Sequence, residues 1–173
     1  MKQITDIILF DKEIKADIIE AVLDGIQRVV MQVPDAKILI YFSSQGGSLA
    51  HADLLLNYFN ALSDNIILRA FHQISSAAFK VFFEFEGQKD IMDNTFAIIH
   101  KGSKSLIARD LDNKESFDFF MTNKVIPNMN CQTMNLFNKV CLTKKELDMV
   151  KHGKDIFLDT KRLRKMIDKN LSK

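Results

Sequence analysis

The chain has 173 residues, enough for one domain with a substantial core, and its 47% apolar and 27% charged residues exclude a disordered protein. Its 24 basic and 22 acidic residues nearly cancel, leaving a formal charge of +2, and no basic stripe interleaved with aromatics argues for nucleic-acid binding. Cys131 and Cys141 match no metal-ligand or redox spacing and are expected to be free thiols in a reducing compartment. No apolar run is long enough to span a bilayer and no secretory h-region follows Met1, so a cytoplasmic protein is expected.

The first half alternates strand and helix patterns. Asp6 to Phe10 is a short apolar run that predicts a buried strand. Residues 14–32 place Ile14, Ile18, Ile19, Val22, Leu23, Ile26, Val29 and Val30 at helical spacing, and Pro34 and Asp35 end that helix. Lys37 to Phe42 predicts a second strand, Ser43 to Ser48 a loop centred on Gly46-Gly47, and Leu49 to Leu62 a helix. Ile66 to Phe71 reads as a third strand, followed by a helix beginning at Ser75 or Ser76, and Thr95 to His100 as a further strand. Such alternation predicts right-handed crossovers and a largely parallel sheet.

The second half differs. Residues 110–140 lose the strand character and read mostly as helix, with Pro127 as a break. Thr143 and Glu146 have capping-box spacing for a helix over 144–151. Ile156-Phe157-Leu158 is a short strand, and residues 160–170 form a last helix whose basic run, Lys161 to Lys165, is a solvated face. Nothing in the composition marks a boundary, so one domain over residues 1–173 is expected.

Two strand-to-helix turns could carry chemistry. In Ser44-Gln45-Gly46-Gly47-Ser48, two glycines let backbone N–H groups approach a ligand, either an oxyanion or a phosphate. No phosphate-loop or dinucleotide fingerprint accompanies them, so a plain tight turn is the competing reading. Ser75 and Ser76 begin a helix, where a serine is usually a cap; one of them could instead be a nucleophile aided by the helix dipole. Of the four histidines, His100 ends an apolar strand, where sites collect in parallel sheets.

Taken in order, these segments resemble the Clp protease proteolytic subunit family. Its Ser-Pro-Gly-Gly-Ser loop is matched by Ser44-Gln45-Gly46-Gly47-Ser48, and its Gly-Gln-Ala-Ala-Ser nucleophile segment by His72-Gln73-Ile74-Ser75-Ser76. Its Met-Ile-His strand is matched by Ile98-Ile99-His100, and its Asp-Arg-Phe-Leu segment by Asp155-Ile156-Phe157-Leu158. The resemblance implies the ClpP/crotonase-like α/β fold, a spiral of repeated β-β-α and βαβ units with a protruding helical handle, here over about residues 106–140. It implies a Ser76–His100–Asp155 triad, with backbone N–H groups of Gly47 and Ala77 binding the oxyanion and the Gly46 to Leu49 segment, Ser48 included, pairing with an extended substrate. No cofactor or metal is implied. The partners implied are other copies of the chain in a ring and unfolded polypeptide or peptide substrates. The apolar residues Phe117, Phe119, Phe120, Met121, Met129, Met134, Leu136 and Phe137 suit such an interface as well as an intrachain core.

The sequence departs from the family at several points. His72 stands where the family has glycine, a change expected to bear on the strand-to-helix turn. Gln45 replaces proline, and Ser75 replaces a small apolar residue, so that spacing rather than residue type singles out Ser76. Asp148 and Asp159 are alternatives to Asp155 as the acid, and Lys80, one turn after Ser76, is expected to have solvent or a carboxylate around it. No counterpart of the family's axial-loop segment is expected before the first strand, so docking to an ATP-driven unfoldase is not expected. Two other functions stay open: a non-catalytic ring subunit or scaffold, and an acyl-CoA enzyme of the enoyl-CoA hydratase superfamily, which shares the fold.

Overall fold

A computed structural model describes residues 4–100, 135–136 and 142–171 of the chain. It divides into two compact units, one of Met1–Ile99 with Ile156–Lys173 and one of His100–Asp155. Most of the expected handle, and both cysteines, lie outside the described residues.

In the first unit, four parallel strands lie in the order β1-β2-β3-β4. They are β1 (Asp6–Phe10), β2 (Ile38–Ser44), β3 (Ile66–Ile74) and β4 (Gln88–Ile91). Parallel neighbours need a crossover between them, and α1 (Ala16–Gln32), α2 (Leu49–Ala61) and α3 (Ala77–Glu84) supply one each. Two further short strands, β5 (Ala97–Ile99) and β6 (Ile156–Leu158), pair antiparallel.

The period-2 alternation of β3 turns Ile66, Leu68 and Ala70 into the core, beside Ile38, Ile40 and Phe42 of the almost wholly buried β2. From the helices, α1 contributes Ile19 and Ile26, and α2 contributes Ala52, Leu55, Leu56 and Phe59. The helix α3 buries every residue except Lys80 and Glu84, so it is an interior helix rather than an amphipathic one. Each large side chain buried in this way contributes roughly 1.5–3 kcal/mol. This apolar packing fixes the position of α3, and hence of the turn that starts it.

Three details differ from the sequence expectation. The strand β1 is not buried: it is an edge strand, and Ile7 and Leu9 are 59% and 60% exposed while Phe10 faces the core. The helix α1 starts at Ala16, and Ile14 instead forms a parallel bridge with Gly47. The strand β4 was not expected, because Gln88-Lys89-Asp90-Ile91 has too little apolar character to signal a strand. It is held at the edge of the sheet by the bidentate pair between Arg69 and its register partner Asp90, at 2.8 and 2.7 Å.

In the second unit, α4 (Lys144–Lys151) begins with the expected capping box. The Glu146 N–H donates to Thr143 Oγ1 at 3.2 Å, and the Thr143 N–H to Glu146 Oε2 at 2.6 Å. The last helix, α5 (Thr160–Leu171), belongs to the first unit. Among the described residues no helix is long and apolar enough to cross a membrane.

Candidate active site

The site is built where β3 ends. The strands β2 and β3 stay in register to Phe42 and Ala70, then jump to Ser44 and Ile74, so β3 carries extra residues there. His72 sits in this irregularity with φ +54°, and histidine is among the residue types that tolerate this left-handed region best. Glycine adopts such a φ freely. The backbone is therefore accommodated with a histidine in place, and its ring packs edge-on against Phe96 at 5.5 Å.

Ser75 and Ser76 join β3 to α3 and have different environments. Ser75 is buried, and its Oγ accepts hydrogen bonds from the Ile98 N–H at 2.8 Å and from Gln73 Nε2 at 3.0 Å. Ser76 has φ +53° and ψ −123°, far from an ordinary N-cap, and its side chain makes no capping bond to α3. Its N–H donates to the Ile98 carbonyl at 3.1 Å. A non-glycine residue held in such a sparsely populated region costs about 1–3 kcal/mol, and in folded proteins these residues cluster at functional sites.

The glycine loop closes over this turn. A Cβ on Gly46 would fall 2.6 Å from Ser76 Cβ, 2.9 Å from the Ser75 carbonyl oxygen and 3.1 Å from the Ala77 nitrogen, at φ +110°. Only glycine fits there. The Gly46 N–H donates to Ser44 Oγ, and the Gly46 carbonyl and the Ser48 N–H both pair with Ile14, at 2.8 and 3.0 Å. The backbone groups of Gly46 and Ser48 are thus engaged within the fold, and the Ser48 side chain caps α2 by accepting from the His51 N–H. The N–H groups of Gly47 and Ala77 are different: among the described residues neither has a hydrogen-bond partner.

Lys80 offers no free amine. It pairs with Asp53 at 2.5 Å and Glu84 at 2.9 Å. Burial works to lower its pKa, but the bonds from the two carboxylates outweigh that and raise it, so the ammonium stays charged and is unsuited to act as a base.

The structure thus brings together Gly46, Ser76 and Ala77, with Gly47 next along the loop and packed against the Ile14 backbone, whereas His100 and Asp155 belong to the other unit, as its first and last residues. In the ladder of β5 and β6, Ile99 is the register partner of Ile156, so the chain leaves that ladder at one end through His100 and Asp155. Asp155 is exposed, and among the described residues it makes no hydrogen bond or ion pair. Of the alternative acids, Asp159 is used as a cap, accepting from the Arg162 N–H at 2.8 Å, and Asp148 is exposed. Among the described residues no cluster of His, Cys, Asp or Glu could hold a metal ion. Sequence reasoning did not foresee the bonds of Ser75 or the pairing of Ile14 with the glycine loop; the buried apolar character of Ile14 pointed only to a helix face.

The architecture is the ClpP/crotonase-like α/β fold. Among solved structures, the chain is similar to a point mutant of ClpP1 from Listeria monocytogenes, with a TM-score of 0.70 and 16% identity over 92% of this chain and 86% of that one. At that identity the likeness shows the fold. No family model matches the sequence, and no curated protein matches it.

Proposed function

We propose that the chain is a serine endopeptidase that hydrolyses unfolded polypeptides or peptides as a subunit of a self-associating ring. The observation that carries this reading is the backbone of Ser76: a serine with positive φ at a strand-to-helix turn, with Gly46 packed against its Cβ. This is the arrangement by which a turn presents a nucleophilic hydroxyl instead of using it as a cap. In the proposed reaction, Ser76 Oγ attacks the peptide carbonyl while His100 takes its proton. His100 then returns that proton to the leaving amine, and Asp155 orients the imidazole. The Gly47 and Ala77 N–H groups bind the developing oxyanion at the positive end of α3. The exposed Ile7 and Leu9 on β1 support self-association, since a parallel sheet is ordinarily covered on both faces.

Fluorophosphonate labelling followed by peptide mass spectrometry tests the reading. Labelling at Ser76 that Ser76→Ala and His100→Ala both abolish is the expected result; a folded, assembled wild type that takes no label overturns it.

A non-catalytic ring subunit is the second reading, and Asp155 favours it. A triad acid is normally buried and bonded to its histidine, whereas this carboxylate is exposed and has no partner among the described residues. Asp155→Asn separates the two readings. In the peptidase it lowers the labelling rate by roughly 10²-fold or more, and in an inert scaffold there is no rate to lower.

A further inference from the structure

Ser75 is a buried polar residue at the turn that carries Ser76. It is only 3% exposed, and both lone pairs of its hydroxyl are engaged, by the Ile98 N–H at 2.8 Å and Gln73 Nε2 at 3.0 Å. The next residue, Ser76, donates its own N–H to the Ile98 carbonyl at 3.1 Å. Two consecutive serines therefore hold both backbone groups of one residue of β5, one through its side chain and the other through its main chain. Gln73 continues the same seam through its parallel bridge with Phe96, while its N–H donates to Ser43 Oγ of β2 on the other side.

We infer that Ser75 is a positioning residue, a fastener that locks β5 to the nucleophile turn in a register fixed at Ile98. The inference rests on the peptidase reading, because Ile98 lies two residues before His100, the proposed base. Alanine at position 75 would leave the Ile98 N–H without its acceptor, and a buried donor without an acceptor drives the strand to shift or open. Since both lone pairs of the hydroxyl are occupied, Ser75 acts as a fastener and not as a second nucleophile. Gln73 acts through Ser75, holding its hydroxyl toward Ile98.

The test measures Ser76 labelling, peptide hydrolysis and backbone hydrogen exchange together in the full chain carrying Ser75→Ala, Ser75→Thr and Gln73→Leu. Ser75→Ala is expected to speed exchange in the segment around Ile98 and to lower kcat and the labelling rate by about 10- to 100-fold, with KM little changed. Ser75→Thr, which keeps the hydroxyl, restores both readouts. Gln73→Leu shifts them in the same direction by less, and keeps the test decisive should Ser75→Ala fail to fold. A folded Ser75→Ala that labels at the wild-type rate overturns this inference alone, as does slower labelling without faster exchange at Ile98. A wild type that does not label overturns the peptidase reading and this inference with it.

Discussion

The two strand-to-helix turns of the site each place a serine at the start of a helix, yet they use it in opposite ways. At the first turn, Ser48 has φ −66° and ψ 123°, and its Oγ accepts from the His51 N–H, so the hydroxyl serves α2. At the second, Ser76 has φ +53° and ψ −123°, and its hydroxyl makes no capping bond to the helix it begins. An extended N-cap residue aims its side chain back over the first turn of its helix. A positive φ swings the Cβ away from that direction, so the residue gives up the cap and takes on strain. Residue type and position relative to the helix are the same; backbone geometry separates a cap from a candidate nucleophile.

The largest expected effect is the same substitution made at both turns. Ser76→Ala should reduce peptide hydrolysis and probe labelling by roughly 10⁴-fold or more. Ser48→Ala removes a cap instead, which costs about 1 kcal/mol of stability, and its labelling rate should stay within roughly tenfold of wild type. Equal losses of activity at the two positions would break the distinction. The next effect is at the contact between the turns. Gly46→Ala places a Cβ 2.6 Å from Ser76 Cβ at φ +110°. It should destabilise the fold by about 2–4 kcal/mol in denaturant titrations and slow labelling by roughly 10²-fold.

A smaller effect reads the strain itself. Ser76→Gly and Ser76→Ala both remove the hydroxyl, but only glycine adopts φ +53° without penalty. The glycine variant should therefore be the more stable of the two by about 1 kcal/mol. Glycine less stable than alanine would mean that the turn holds no strain.

The alternation of strands and helices, the glycine loop and the helix begun at Ser76 were legible because each rests on local pattern, a period of 2 or 3.6 or a turn residue. The solvation of β1 was not, since Ile7 and Leu9 carry the same apolar signal on an edge strand as in a core. The strand β4 was hidden because its stability comes from Arg69, a partner distant in sequence, rather than from its own residues. At the site, residue order singled out Ser76, but the reason to prefer it over Ser75 is tertiary: Ser75 Oγ is committed to Ile98, which no local pattern encodes. For the acid, the cap that Asp159 provides at the start of α5 was not legible until α5 had a start.

The strained turn also depends on how firmly α3 is anchored at its other end, and there the expected effect is small and depends on pH. Lys89 reaches the end of α3, where its Nζ donates to the carbonyls of Phe83 and Phe85 at 3.0 and 2.5 Å. Burial pushes its ammonium down to about 8, partly opposed by Glu86. A lysine whose pKa is lower folded than unfolded binds fewer protons in the folded state, so its penalty is complete below pH about 8. The penalty fades as pH rises toward the ordinary lysine value, and stability should increase across that window. Lys80, near the start of the same helix, is shifted the opposite way by Asp53 and Glu84; its contribution is complete below the ordinary lysine value and fades above it. Denaturant titrations of wild type and Lys89→Met between pH 7 and 10 isolate the first slope: their difference should shrink or reverse as pH rises, while Ser76 labelling changes little. A Lys89→Met chain that loses labelling at neutral pH while remaining folded would show that the geometry of Ser76 is held from the far end of α3 rather than by Gly46.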